Sequence, residues 1–135
     1  MLKYMLDTNI VIYVIKRRPI EVLDLFNAHA GQMCISSITL AELLHGVEKS
    51  SMVSRNLRKV EDFTSRLDVL PYDNNAAFHY GNIRANLEKK GTPIGVNDLH
   101  IAGHARSESL ILVSNNLREF EKVDGLRLEN WIETE

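Results

Sequence analysis

The sequence has few of the features that mark secreted, membrane or redox proteins. It contains one cysteine, Cys34, so no disulfide can form within the chain, and the apolar neighbours of Cys34 predict a buried, inert thiol. No uncharged apolar run approaches the roughly 18 residues that a membrane span needs. The first residues also lack the apolar core of a secretory signal. We therefore expect a cytoplasmic protein that has no membrane contact.

Excess basic charge, repeats and long linkers are also missing. Sixteen Lys and Arg against 18 Asp and Glu give a formal net charge of −2, which argues against nucleic-acid binding through a generally basic surface. Bound divalent cations would reverse this balance, so the net charge does not decide the matter. We expect residues 1–135 to form a single domain, because this length suffices for one hydrophobic core.

Short apolar runs alternate with longer amphipathic stretches along the chain. This alternation predicts an α/β domain of three layers, in which helices flank a mostly parallel sheet of about five short strands. We expect the strands near residues 3–6, 33–36, 69–70, 110–113 and 126–128. Thr8, Ser37 and Asn74 are the expected N-caps of three helices, because each is a capping residue type ahead of a helical pattern.

Three carboxylates stand in apolar surroundings where packing gives no reason for them. Asp7 ends the apolar run 4–6, Glu42 interrupts the apolar residues 38–44, and Asp98 opens an apolar helical stretch. An unpaired buried carboxylate is strongly destabilising, and no Lys or Arg is adjacent to any of the three. A bound cation is therefore one candidate partner. The alternative is that each acid is separately capped or paired in a salt bridge.

The predicted topology brings these carboxylates to one edge of the sheet. Strand C-termini and helix N-termini share an edge in a parallel α/β sheet, and open α/β folds bind their ligands there. Asp7, Glu42, Asp98 and the polar turn 114–116 all fall at this edge. Ligand sets made only of oxygen favour hard ions such as Mg²⁺ or Mn²⁺, which suit phosphoryl chemistry.

Four segments resemble the PIN-domain ribonucleases and occur in the order found in that family. They are residues 5–9 (MLDTN), 36–46 (SSITLAELLHG), 97–102 (NDLHIA) and 112–120 (LVSNNLREF). Within the family, these segments are similar to those of the VapC-type toxins of type II toxin–antitoxin pairs. The resemblance implies a PIN-like, Rossmann-like domain over residues 1–135. It also implies an endoribonuclease that depends on Mg²⁺ or Mn²⁺ and leaves 5′-phosphate and 3′-hydroxyl ends.

The resemblance also implies roles for individual residues. It assigns catalytic metal ligation to three carboxylates and positioning of the cluster or its waters to two hydroxyls: Asp7, Glu42 and Asp98, and Thr8 and Ser114. Many family members have Asp where this chain has Asn116. The fourth ligand is therefore expected to be the carbonyl oxygen of Asn116 or the carboxylate of Glu119, one helical turn further on.

The expected partners also come from the resemblance. VapC-type toxins are inhibited by a VapB-type antitoxin whose C-terminal segment crosses the active-site groove, and they form homodimers that reach operator DNA only through the antitoxin. Their RNA substrates are structured, commonly tRNA anticodon loops, and initiator tRNA is our hypothesis here. Six basic residues are candidates for steering phosphate, with ordinary solvated charge as the alternative for each: Lys16, Arg17, Arg18, Lys49, Arg84 and Arg118.

Several competing interpretations remain open at this point. A HAD-like phosphatase would need a second Asp where Asn9 stands, and a receiver-type phosphoacceptor domain would need a further acid before Asp7. An inactive PIN fold that serves as a binding module is a third alternative. His100 and His104 are spaced like a zinc pair, but Ile101 replaces the acid of the zinc-protease motif, which favours packed histidines.

Overall fold

The computed structural model describes residues 1–132, and its five strands form one parallel sheet. The strands are β1 (Tyr4–Leu6), β2 (Met33–Ser36), β3 (Asp68–Leu70), β4 (Ile111–Val113) and β5 (Leu128–Glu129). Their order is β3-β2-β1-β4-β5, and every pairing is parallel. The predicted strands are confirmed, although β5 begins two residues later than expected.

Seven helices accompany the sheet in the described residues. They are α1 (Thr8–Lys16), α2 (Ile20–Ala28), α3 (Ser37–Glu48), α4 (Val53–Thr64), α5 (Asn74–Lys89), α6 (Val96–Ser107) and α7 (Leu117–Phe120). None of the helices within residues 1–132 is both long and apolar enough to cross a membrane.

The sheet separates two apolar cores. Leu6 of β1 packs into a core formed with α1, α2, α3 and α4, whereas Met5 of the same strand packs into a core formed with α5, α6 and α7. Successive side chains of a strand point to opposite faces, so each central strand supplies both cores. Cys34 lies in the second core, and burial raises the pKa of its thiol to about 12. The three-layer arrangement is confirmed, and the thiol is buried as expected.

Three predicted N-caps are each one residue too late. In the structure the N-cap is the preceding residue in each case: Asp7 rather than Thr8, Ser36 rather than Ser37, and Asp73 rather than Asn74. In each case the earlier side chain accepts a backbone N–H two or three residues further on, at 2.9 to 3.0 Å. Each pair consists of two adjacent polar residues of capping type, so the sequence pattern alone could not decide between them.

A buried hydrogen bond joins α6 to the start of α3. His104 is fully buried, and its Nδ1 lies 2.8 Å from Oγ of Ser36, the residue that caps α3. Burial lowers the pKa of His104, which favours the neutral ring. Nδ1 of His100 lies 2.8 Å from the hydroxyl of Tyr72. Both histidines are thus bonded to protein groups, and the packed-histidine interpretation is confirmed.

We expect Ser36→Ala to lower the free energy of unfolding by about 1–3 kcal/mol, because it removes the α3 cap and the partner of a buried histidine. Urea denaturation followed by circular dichroism measures the change. Ser54→Ala, at an exposed position early in α4, is the matched control and should change stability by less than about 0.5 kcal/mol. Equal stabilities of the two variants would contradict this account of the Ser36–His104 contact.

Candidate active site

Four acidic side chains meet at the edge of the sheet where β1 ends. Asp7 follows β1, Glu42 lies on α3, Asp98 lies in the first turn of α6, and Glu119 lies on α7. Asp7, Glu42 and Glu119 all raise the pKa of Asp98 through their charges, so the four groups interact electrostatically. The structure therefore brings together the three carboxylates singled out in the sequence and adds Glu119 to them.

Asp7 is the most deeply buried of the four acids, with 4% of its surface exposed. Its Oδ1 accepts the backbone N–H of Ile10 at 2.9 Å, and the hydroxyl of Ser114 is a further hydrogen-bond partner. Burial raises the pKa of Asp7 despite these two hydrogen bonds, and the charge of Glu42 raises it further. Asp7 thus caps α1, as the alternative interpretation proposed, and also belongs to the acidic cluster.

Hydroxyl groups hold Glu42 in place. The hydroxyl of Thr8 donates to Oε1 of Glu42 at 2.6 Å and lies 3.3 Å from the hydroxyl of Thr39, which is fully buried. These contacts join the first residue of α1 to α3. Thr39 was not among the site residues predicted from the sequence. The available signal was a polar residue three positions before Glu42, a spacing that places both side chains on the same face of a helix.

Asp98 and Glu119 form a hydrogen-bonded pair of carboxyl groups. Burial, the hydrogen bond to Glu119 and the neighbouring charges raise the pKa of Asp98 to about 7. Burial also opposes ionisation of Glu119, but hydrogen bonds from Asp98, the Gly95 N–H (3.0 Å) and the Asn116 side-chain amide (2.8 Å) outweigh it and lower the pKa of Glu119. Burial and the neighbouring charges thus favour the protonated form of Asp98, beside an ionised Glu119. Of the two fourth-ligand candidates, Glu119 is the one bonded to Asp98.

A glycine keeps this pair accessible. A Cβ atom on Gly95 would lie 3.6 Å from Oδ2 of Asp98 and 3.8 Å from Oε1 of Glu119, so any side chain there would begin in contact with both carboxyl groups. Gly95 was not among the site residues predicted from the sequence. A residue without a side chain in the loop before α6 was the only available signal.

The donor set fits a hard divalent cation by its chemistry. All four acids offer oxygen, and burial together with their mutual repulsion raises the pKa of Asp98, an effect that a bound cation would offset. Within residues 1–132, however, no three Asp, Glu, His or Cys side chains are arranged to hold an ion together. Glu42 is bonded to Thr8, and Asp98 to Glu119. Ligation therefore requires these side chains to exchange their present partners for the cation.

Two of the six candidate phosphate-steering residues lie beside the acidic cluster. Lys16 lines a groove that also contains Glu42, and Arg118 lines a depression that contains Glu119. Arg84 instead donates to the Tyr80 hydroxyl and to Glu88 on its own helix. Lys16 and Arg118 therefore lie where their charges suit a substrate bound at the carboxylates.

Comparisons with known proteins agree with this geometry. The model of the PIN domain family matches residues 4–126. Ribonuclease VapC2 of Haemophilus influenzae is 66% identical over 98% of this chain and 100% of its own length. The tRNA(fMet)-specific endonuclease VapC of Shigella flexneri is 59% identical over 97% of this chain and 99% of its own.

A solved structure extends the match to three dimensions. The crystal structure of DNA-bound VapBC from Salmonella typhimurium is similar with a TM-score of 0.94 at 56% identity, and the match covers 98% of this chain and 100% of that chain. The match thus includes the elements that carry all four acids. The chain belongs to the PIN-domain family and, within it, to the VapC ribonucleases.

Proposed function

We propose that this VapC ribonuclease is the toxin of a toxin–antitoxin pair and cuts RNA internally at the carboxylate cluster, leaving 5′-phosphate and 3′-hydroxyl ends. The observation that carries the proposal is the convergence of Asp7, Glu42 and Asp98, with Glu119, at one sheet edge. Relatives named ribonucleases match this chain over nearly its whole length, which supports the assignment. We further propose that residues 1–135 are one PIN domain acting in the cytoplasm.

PIN-domain nucleases are generally dependent on divalent metal ions. Mg²⁺ is the ion we propose here, with Mn²⁺ as a substitute, and the proposed ligands are Asp7, Glu42 and Asp98. When bound, such a cation lowers the pKa of a water molecule and offsets negative charge on the phosphate. Glu119 is the proposed fourth ligand, and its Oε2 accepts a hydrogen bond from the side-chain amide of Asn116.

The protein's own groups orient these carboxylates. The Ile10 N–H donates to Asp7 at the end of β1, and the Ser114 hydroxyl favours its ionised form. The Thr8 hydroxyl likewise donates a hydrogen bond to Glu42. Asp98 must release its proton before it can act as an anionic ligand, and its pKa of about 7 makes this possible near neutral pH.

Initiator tRNA is the substrate we propose, cut in its anticodon loop. The Shigella flexneri and Salmonella typhimurium relatives, 59% and 56% identical, are named tRNA(fMet)-specific endonucleases. A single-stranded loop can present an exposed phosphodiester to the sheet edge, whereas a base-paired stem is far less accessible.

A VapB-type antitoxin is the proposed inhibitor, since VapBC from Salmonella typhimurium was crystallised as a DNA-bound complex. An antitoxin arginine would pair bidentately with the carboxylates and replace the charge of the cation. We propose that the toxin is a homodimer and meets operator DNA only through the antitoxin.

We expect antitoxin-free protein with Mg²⁺ to cut initiator tRNA at one main position, and Asp7→Asn to reduce the rate by about 100-fold or more, because it removes an anionic ligand. Asparagine caps helices as well as aspartate does, so this variant should still fold. Incubation with total small RNA, followed by sequencing of the new 5′ ends, identifies the cut. EDTA should abolish it, and Asp62→Asn, at an exposed site on α4, should leave it unchanged.

The absence of any cut by folded, antitoxin-free wild-type protein would count against the proposal. That result would favour the inactive binding module instead.

We expect Mg²⁺ to raise the melting temperature more at about pH 8 than at about pH 6, because a cation must displace the proton of Asp98. Without metal, the stability contributed by Asp98 changes with pH in the opposite direction. The folded pKa of about 7 exceeds the ordinary 3.8, so the contribution of Asp98 to stability is complete below the ordinary value and is lost as the pH rises through about 7.

Thermal unfolding with and without Mg²⁺ at the two pH values measures both effects. Asp98→Asn is the matched control and should flatten both dependences. Equal Mg²⁺ shifts at the two pH values in the wild-type protein would contradict the assignment of Asp98 as a ligand.

A further inference from the structure

A groove between α1, α3 and α4 opens beside the acidic cluster and has no part in the mechanism above. Its volume is about 320 Å³, and Thr8 and Glu42 form part of its wall. Most of the remaining wall is aliphatic: Ile12, Ile15, Leu43, Val47 and Val60. Because Glu42 belongs to both the cluster and the groove, the groove opens directly onto the carboxylates.

A glycine contributes to the opening of the groove. Gly46 lies on α3, one helical turn after Glu42, and a Cβ atom there would meet no atom within 4 Å. Gly103 differs, because its Cβ would lie 2.9 Å from the backbone nitrogen of Tyr80. Glycine within a helix is less stable than alanine. Packing among residues 1–132 therefore gives no reason for a glycine at position 46. A molecule bound close to the helix backbone would give one.

The charges on the wall of the groove favour a polyanion. Lys16 of α1 and Lys59 of α4 both line it, and Glu42 is its single acidic residue. Neither lysine forms a salt bridge among the described residues. Two cations that flank an aliphatic surface match the phosphates and the base of a nucleotide. A segment of the antitoxin is the other possible occupant, but two lysines beside the aliphatic wall match the regularly spaced phosphates of RNA.

We propose that this groove holds the nucleotide of the RNA that adjoins the scissile phosphate. The base and sugar lie against the aliphatic wall over Gly46, and Lys16 and Lys59 bind the flanking phosphates. This inference rests on the proposed RNA-cleaving function and names residues that bind the substrate beside the cleavage site.

The affinity for RNA tests the two lysines. Fluorescence anisotropy with labelled initiator tRNA, in the Asp7→Asn background with EDTA, measures binding without cleavage. Lys16→Ala and Lys59→Ala should each weaken binding about 5-fold and make the dependence of log K on log salt shallower by about 0.7 to 0.9, as expected for one lost phosphate contact. Lys89→Ala, at an exposed position on α5, should change neither quantity.

The stability of two glycine variants tests the groove itself. Gly46→Ala and Gly81→Ala both place a methyl group in open space on a helix, so each should raise the melting temperature by about 3 °C. Only Gly46→Ala should also weaken RNA binding, and Gly46→Leu should weaken it more. A variant that is more stable yet binds less tightly cannot owe its loss of binding to misfolding.

The outcomes separate this inference from the proposed function. If wild-type protein cuts RNA while the Lys16, Lys59 and Gly46 variants keep its affinity and salt dependence, the groove assignment is wrong and the function stands. If wild-type protein cuts no RNA, the proposed function fails, and the binding measurements still decide the groove. Unchanged RNA binding together with weaker binding of the VapB-type antitoxin would assign the groove to the protein partner and overturn the inference.

Discussion

Repulsion among four carboxyl groups at one sheet edge is the constraint that the surrounding structure has to meet. Four negative charges in a partly buried space would be strongly unfavourable. The protein offsets this by giving three of the groups a hydrogen-bond donor: a helix N-terminus for Asp7, a threonine hydroxyl for Glu42, and a backbone N–H with an amide for Glu119. For Asp98, burial and the neighbouring charges raise the pKa and favour the protonated carboxyl group instead. The local sequence around the site can be understood largely as the set of donors that this charge requires.

The helices that carry the acids are braced against one another. Ser36 ends β2, caps the helix of Glu42 and contacts His104, which lies on the helix of Asp98. One buried side-chain contact therefore links elements on opposite faces of the sheet. In this arrangement the Nε2 of His104 has no hydrogen-bond partner among the described residues, which is unfavourable for a buried polar atom. The contact thereby ties the helix that carries Glu42 to the helix that carries Asp98.

Much of the fold and the general position of the site could be predicted from the sequence. Alternating apolar runs located the strands, and parallel topology placed Asp7, Glu42 and Asp98 at one edge. Adjacent polar residues such as Asp7 and Thr8 obscured which one caps the helix, because both types suit that position. The hydrogen bond between Asp98 and Glu119 and the openings left by Gly95 and Gly46 depend on distances between segments far apart in sequence. Local patterns do not carry that information.

The acids reach the site from both sides of the sheet and from widely separated parts of the chain. Asp7 and Glu42 belong to the first third of the sequence, whereas Asp98 and Glu119 lie on elements that pack into the other core. A nascent chain that has folded only through α4 has half of the acids and no Asp98–Glu119 pair. The acidic cluster is therefore incomplete while the ribosome is still translating the region between α4 and α7. A member of a family of ribonucleases thus assembles its four clustered carboxylates only after most of its own synthesis is finished.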